Sequence, residues 1–138
     1  MKDYVLDANA VLRYFAVSEG QGANKVRALF EQAERGQARL SMSVVNLGEV
    51  HYILLKHVGE PRARHYLKVL QNVATMVEAD TVQALAAAEM KHKYKLGYAD
   101  SFAVTLALTS KATLVSADPE FEKLGKPLKW VRLSRLAP

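Results

Sequence analysis

The chain contains no cysteine. That excludes disulfides, zinc–thiolate sites and a thiol nucleophile, and it fits a reducing compartment. Long hydrophobic runs are also missing, since none approaches the roughly 18 residues that a membrane span needs. Met1-Lys2-Asp3-Tyr4-Val5-Leu6-Asp7 has no signal-peptide core of ~7–15 apolar residues and reads as a strand from its start. A cytoplasmic protein with no membrane contact is therefore expected. Several catalytic signatures are absent too: no P-loop, no G-x-G-x-x-G and no G-x-S-x-G. His51, His57, His65 and His92 form no H-E-x-x-H or comparable metal spacing. Ser101 and Ser116 have no matching base in a recognisable motif.

What is present suits one globular domain spanning 1–138. Half of the 138 residues are hydrophobic, enough for a real core. No repeat, low-complexity segment or linker interrupts them. Nineteen Lys and Arg stand against fourteen Asp and Glu, a formal net charge of +5. A basic surface suits a polyanion, although charge of this size also occurs in proteins with no such partner.

Short strands alternate with helices. Strands are expected at Asp3 to Asp7, Arg39 to Ser43, Val73 to Glu78, Ala112 to Ser116 and near Leu128 to Leu133. Helices are expected from Asn9 to about Phe15, Ala23 to Glu34, Val44 to Val58, Arg62 to Asn72, Val82 to Lys95 and Ala99 to Ser110, with a short one opening at Asp118-Pro119. Gly20-Gln21-Gly22, Gly59-Glu60-Pro61 and Gly125-Lys126-Pro127 are breaks, and Ser134 to Pro138 reads as a loose end. Such alternation implies an α/β fold of three α/β/α layers, with a central, mostly parallel sheet of about five strands.

Four acids occupy related places in this pattern. Asp7 follows Tyr4-Val5-Leu6, Glu49 lies early in the helix from Val44, Asp100 opens the apolar stretch to Leu108, and Asp118 follows the strand that ends at Ser116. Open α/β sheets collect strand C-termini and helix N-termini on one edge, where ligands bind. A bland explanation exists for three of them: Asp7 and Asp118 as helix caps, Asp100 as a charge at a positive helix end. Glu49 is harder to excuse, because it lies on or beside the inward stripe of Leu47, Val50 and Ile53. Gathered at one edge, the four would repel one another and need a cation such as Mg²⁺, held through oxygen.

At these residues the chain resembles a PIN domain. The matching pieces are Val5-Leu6-Asp7-Ala8-Asn9, Val45-Asn46-Leu47-Gly48-Glu49-Val50, Gly97-Tyr98-Ala99-Asp100-Ser101-Phe102 and Leu114-Val115-Ser116-Ala117-Asp118-Pro119-Glu120-Phe121. Their order and spacing agree over essentially the whole chain. The nearest group is the single-domain VapC-type toxins of toxin–antitoxin pairs. The resemblance implies a Mg²⁺- or Mn²⁺-dependent endoribonuclease that cleaves single-stranded RNA with metal-activated water. It implies Asp7, Glu49, Asp100 and Asp118 as the acidic site, with Asp7 and Asp100 the main ligands. Asn9 and Ser116 match small polar positions beside the acids. A homodimer and an antitoxin partner are implied as well, with Val26, Leu29, Phe30, Ile53 and Leu54 as candidate apolar faces.

Arg13, Lys91, Lys93 and Lys95 are the expected phosphate contacts, with Tyr94 as a possible stacking face. Lysines near a helix C-terminus also suit the helix dipole alone. Three rival readings remain. A phosphotransfer domain with nucleophilic Asp7 would carry D-x-D, yet the second residue after Asp7 is Asn9. A PIN-like RNA-processing nuclease would act outside any toxin pair. A non-catalytic RNA- or protein-binding module would be expected to lack one of the acids.

Overall fold

The structure, a computed structural model, describes residues 1–15 and 22–133. The expected break at Gly20-Gln21 and the loose end from Ser134 lie outside the described residues. The chain runs β1 Lys2–Leu6, α1 Ala8–Tyr14, α2 Ala23–Glu34, β2 Ala38–Ser43, α3 Val44–Val58, α4 Glu60–Val73, β3 Ala74–Val77, α5 Thr81–Tyr94, α6 Tyr98–Thr109, β4 Thr113–Ser116, a 3₁₀ helix Pro119–Leu124 and β5 Trp130–Arg132. The five strands form one sheet in the order β3-β2-β1-β4-β5, and every neighbouring pair is parallel.

The pleat of β1 sorts the core into two layers. Tyr4 and Leu6 face one side, where they pack with Val11, Val26, Phe30, Val50, Leu54 and Leu70 from α1 to α4. Val5 faces the other, against Ala103, Val104 and Ala107 of α6 and Phe121 of the 3₁₀ helix. Side chains alternate across a strand, so a central parallel strand is apolar throughout, as Tyr4-Val5-Leu6 is. The expected three-layer α/β fold is what forms.

Two details differ from the sequence reading. Asp7 does not end β1; it is the N-cap of α1, with extended backbone and its side chain bonded to the Ala10 N–H. Val26, Leu29, Phe30 and Leu54 are buried in the core and offer no free apolar face. A helix packed on a sheet must bury one stripe, and these residues are that stripe. The large apolar side chains that do stand exposed include Tyr52, Leu55, Val82, Leu85 and Tyr98. Among the described residues, no helix is long and apolar enough to cross a membrane.

Candidate metal centre

β1 and β4 are adjacent, with Leu6 opposite Val115, so the residues that follow them leave the sheet side by side. Asp7 is buried there and both its oxygens are engaged. Oδ1 accepts the Ala10 N–H at 2.9 Å, and Oδ2 accepts the Ser116 hydroxyl at 2.5 Å. The same Ser116 oxygen accepts the Asp118 N–H at 3.0 Å. Asn9 completes this inner layer: its Oδ1 accepts the Ala117 N–H and the Arg13 Nε–H, each at 3.1 Å. The turns after β1 and β4 are thus stitched together by the small polar residues expected beside the acids.

A more open layer lies in front. Oxygens of Asp100, Asp118 and Glu120 come within 4.8 Å of one another; Asp100 and Asp118 are half-buried and the Glu120 side chain is exposed. Asp100 sits in the first turn of α6, which has no side-chain cap. A Cβ at Gly97 would stand 3.3 Å from Asp100 Oδ2, so the glycine leaves room for that carboxylate. Asp118 caps the 3₁₀ helix by accepting the Glu120 N–H at 3.0 Å. That cap turns Glu120 back toward Asp118. Glu120 also meets Lys123 Nζ at 3.3 Å.

Glu49 projects from α3, half-buried. Asn46, one turn earlier and fully buried, donates from Nδ2 to the Ala99 carbonyl at 3.0 Å. The start of α3 is thereby joined to the residue preceding Asp100.

The electrostatics follow from this crowding. Burial pushes the Asp7 carboxyl up to about 7, the Asp100 and Asp118 charges add to it, and the bonds from Ser116 and Ala10 oppose it. Asp100 is also pushed up to about 7, first by burial, then by the charge and hydrogen bond of Asp118, then by Glu49 and Glu120. Glu49 is raised by burial, against the pull of the Asn46 amide. A cation among these carboxylates would relieve the repulsion. The donors are all hard oxygens, a set that fits Mg²⁺ or Mn²⁺ rather than a thiolate- or imidazole-seeking metal.

Asp7, Glu49, Asp100, Asp118, Asn9 and Ser116 are therefore brought to one edge. Glu120 and Asn46 belong with them and were not anticipated. Asp118-Pro119-Glu120 reads as an ordinary capped turn, yet a capping Asp necessarily holds the residue two places on beside itself. Lys91, Lys93 and Lys95 are exposed at the C-terminal end of α5, which leads directly into the turn before Asp100. Lys123 Nζ, beside Glu120, also reaches the Lys95 carbonyl at 3.3 Å, which puts Lys95 at the rim of the acidic layer. Lys91 Nζ is partly spent on the Leu96 carbonyl at 2.9 Å. Arg13 is buried, 5% exposed, and its Nε donates to Asn9 Oδ1 one helical turn back.

This is a parallel α/β domain whose carboxylates converge at the strand C-termini, an oxygen-donor cluster that could hold a metal ion. The family follows from the sequence: the model of the PIN domain matches residues 4–127, and the chain belongs to that family. A comparison with curated protein sequences finds no match. Among solved structures the fold is similar to DNA-bound VapBC from Salmonella typhimurium, with TM-score 0.73, 18% identity, and 96% of this chain and 98% of that one covered. It is similar to VapBC2 from Rickettsia felis bound to a promoter DNA fragment, with TM-score 0.72, 16% identity and 96% and 99% covered. VapC20 from Mycobacterium tuberculosis, described as a toxin that cleaves the sarcin–ricin loop, matches with TM-score 0.68, 14% identity and 98% and 99% covered.

Proposed function

We propose that this protein is a Mg²⁺- or Mn²⁺-dependent endoribonuclease acting on single-stranded RNA, the toxin of a VapBC-type pair. The observation that carries the reading is the two-layer acid cluster: an open trio of Asp100, Asp118 and Glu120 in front of a hydrogen-bonded Asp7. Asp100, Asp118 and Glu120 would hold the cation, with Glu49 and Asp7 contributing directly or through water. When bound, the ion supplies a Lewis acid for the phosphate and lowers the pKa of water. The chain itself orients the ligands: Ser116 fixes Asp7 and the Asp118 backbone, and Asn9 holds the turn between them. Hydrolysis in this arrangement leaves a 5′-phosphate and a 3′-hydroxyl and requires no histidine pair. Lys93 and Lys95, with Lys91, would draw the strand toward the acids.

The toxin assignment rests on the fold shared with VapBC complexes, and it carries two further expectations. The protein would act in the cytoplasm as a homodimer, and an antitoxin would place a basic side chain in the acidic pocket. A PIN-like nuclease of RNA processing would share the chemistry and lack the antitoxin.

Cleavage of end-labelled RNA in Mg²⁺, Mn²⁺ and EDTA tests the chemistry, with para-nitrophenyl phosphate as the competing substrate. RNA cleavage that EDTA abolishes is expected. Hydrolysis of the small ester with intact RNA would overturn the reading in favour of a phosphatase. Growth arrest on expression, relieved by a neighbouring reading frame, is expected of a toxin; an innocuous but active nuclease would leave only the processing role.

A further inference from the structure

Asn46 is a polar side chain where an apolar one would pack. It lies in the first turn of α3, on the face that continues inward through Val50 and Leu54, and it is 0% exposed. Burying an amide costs free energy unless its hydrogen bonds are made. One Nδ2 hydrogen is given to the Ala99 carbonyl at 3.0 Å, across 53 residues of sequence. Residues three apart share a helix face, and the Asn46 amide also lies against the Glu49 carboxylate. Its Oδ1 is buried with no hydrogen-bond partner among the described residues. The residue therefore carries a desolvation cost that leucine would avoid. What it returns is a link between two elements, each of which bears one acid.

We infer that Asn46 is a positioning residue of the acidic centre, whose amide fixes the first turn of α6, and so Asp100, against the Glu49-bearing turn of α3. The geometry explains why the link is needed at this point. Gly97 offers no side chain to cap α6, unlike Asp7 and Asp118 in their own caps, so the local hold on the turn that carries Asp100 comes from Ser101, whose hydroxyl donates to the Gly97 carbonyl at 2.9 Å. Side chains that hold ligands in place typically contribute about 10- to 100-fold to metal affinity or activity, and small misplacements are costly in catalysis. In this role Asn46 acts through its partners Ala99 and Glu49.

The inference rests on the nuclease reading for its functional part, and the test separates the two. N46L keeps the branched shape with bulkier methyl groups and deletes the donor; N46S keeps a polar group too short to span the gap. Each is compared with the parent by calorimetric titration of Mn²⁺, by steady-state RNA cleavage, and by amide hydrogen exchange without metal. Expected for N46L are Mn²⁺ affinity weakened about tenfold or more, kcat reduced with KM for RNA unchanged, and faster exchange confined to the first turn of α6. N46S should behave likewise and carries the test if N46L does not fold. Parent-like affinity, kcat and exchange in the folded variant overturns the inference. Failure of both variants to fold overturns it too, since Asn46 would then hold the fold rather than the site. A parent that binds no Mn²⁺ overturns the nuclease reading, and the link then stands or falls on the exchange result.

Discussion

The two acid layers at the sheet edge are only a few side chains apart and are built on opposite principles. In the inner layer Asp7 is sealed from solvent and each oxygen accepts a hydrogen bond from a residue fixed by the adjacent strands or helix. In the outer layer Asp100, Asp118 and Glu120 crowd together, half-exposed, with charge left over. The difference shows how one cluster divides two tasks. A buried carboxylate with both oxygens bonded holds backbone, because its bonds replace the water it lost. Partly exposed carboxylates that repel one another store a preference for a cation. The inner layer is thus expected to govern geometry and stability, and the outer layer affinity for metal.

The strongest way to break the comparison is Asp100→Asn. If the outer layer serves metal, the variant should lose Mn²⁺ binding and RNA cleavage by at least about 100-fold, more than an indirect partner would cost. Its apo stability should stay within about 1 kcal/mol of the parent. A charge favourable to the α6 dipole is lost, but the repulsion from Asp118, Glu49 and Glu120 goes with it. Chemical denaturation in EDTA checks this. A loss of several kcal/mol with Mn²⁺ affinity intact would make Asp100 a structural cap and erase the distinction between the layers.

The pH dependence of the metal-free protein sharpens it next. Asp7 and Asp100 are both raised from about 3.8 to about 7. The folded chain holds these protons more tightly than the unfolded chain does. Their contribution is complete below about pH 4 and is lost as pH rises through 7. From Asp7 alone the loss between pH 5.5 and 8 is on the order of 2 kcal/mol, or roughly 7 °C in Tm. Melts in EDTA should therefore give the lower Tm at pH 8, and Asp7→Asn should flatten that slope. Mn²⁺ should raise Tm more at pH 8 than at pH 5.5, where protons compete for the same oxygens. A Tm independent of pH across this range would remove the raised Asp7 and Asp100 carboxyls from the account.

Much of this was legible before any coordinates. A parallel sheet covered on both faces makes apolar runs with sharp ends, so α2 and α3 take the bounds read from periodicity. The edge rule for α/β folds places Asp7, Glu49, Asp100 and Asp118 together without knowledge of strand order. Depth was not legible. Asp7 is inner because β4 lies beside β1 and brings Ser116 to it, a contact across 109 residues. Arg13 lies near the end of a helix, where a cation is ordinarily exposed; it is buried, and Asn9, one turn earlier, accepts from its Nε. Glu120 looked like part of a cap, and only the direction in which the 3₁₀ turn points makes it a ligand candidate.

Ser116 is the hinge between the layers, since its hydroxyl serves Asp7 and its oxygen serves the Asp118 backbone. Ser116→Ala should weaken Mn²⁺ binding about tenfold and cost about 1 kcal/mol of stability. Both effects should be smaller than those of losing Asp100. The single tryptophan is a convenient reporter, because the Trp130 indole donates to the Ser116 carbonyl at 3.1 Å. Its fluorescence should follow the metal titration in the parent and shift less in the variant. Parent-like affinity in Ser116→Ala would mean that the layers work independently.

The smallest expected effect lies outside both layers. Lys91, Lys93 and Lys95 are exposed where α5 runs toward the outer acids. Lysines that meet phosphates release counterions, so each should add about one to the slope of binding against salt. Replacing all three with glutamine should flatten that slope by about 2 to 3. Lys91 is expected to contribute least, because its ammonium already serves the Leu96 carbonyl. Mn²⁺ affinity should not change, since among the described residues no bond from these ammonium groups reaches the acid trio. Fluorescence anisotropy of a labelled RNA, titrated at several salt concentrations in Ca²⁺ to suppress cleavage, measures the slope. If it is unchanged, the strand takes another route. Lys126 and Lys129, exposed on the segment before β5, are then the next candidates, ahead of Arg132, which is already paired with Glu122.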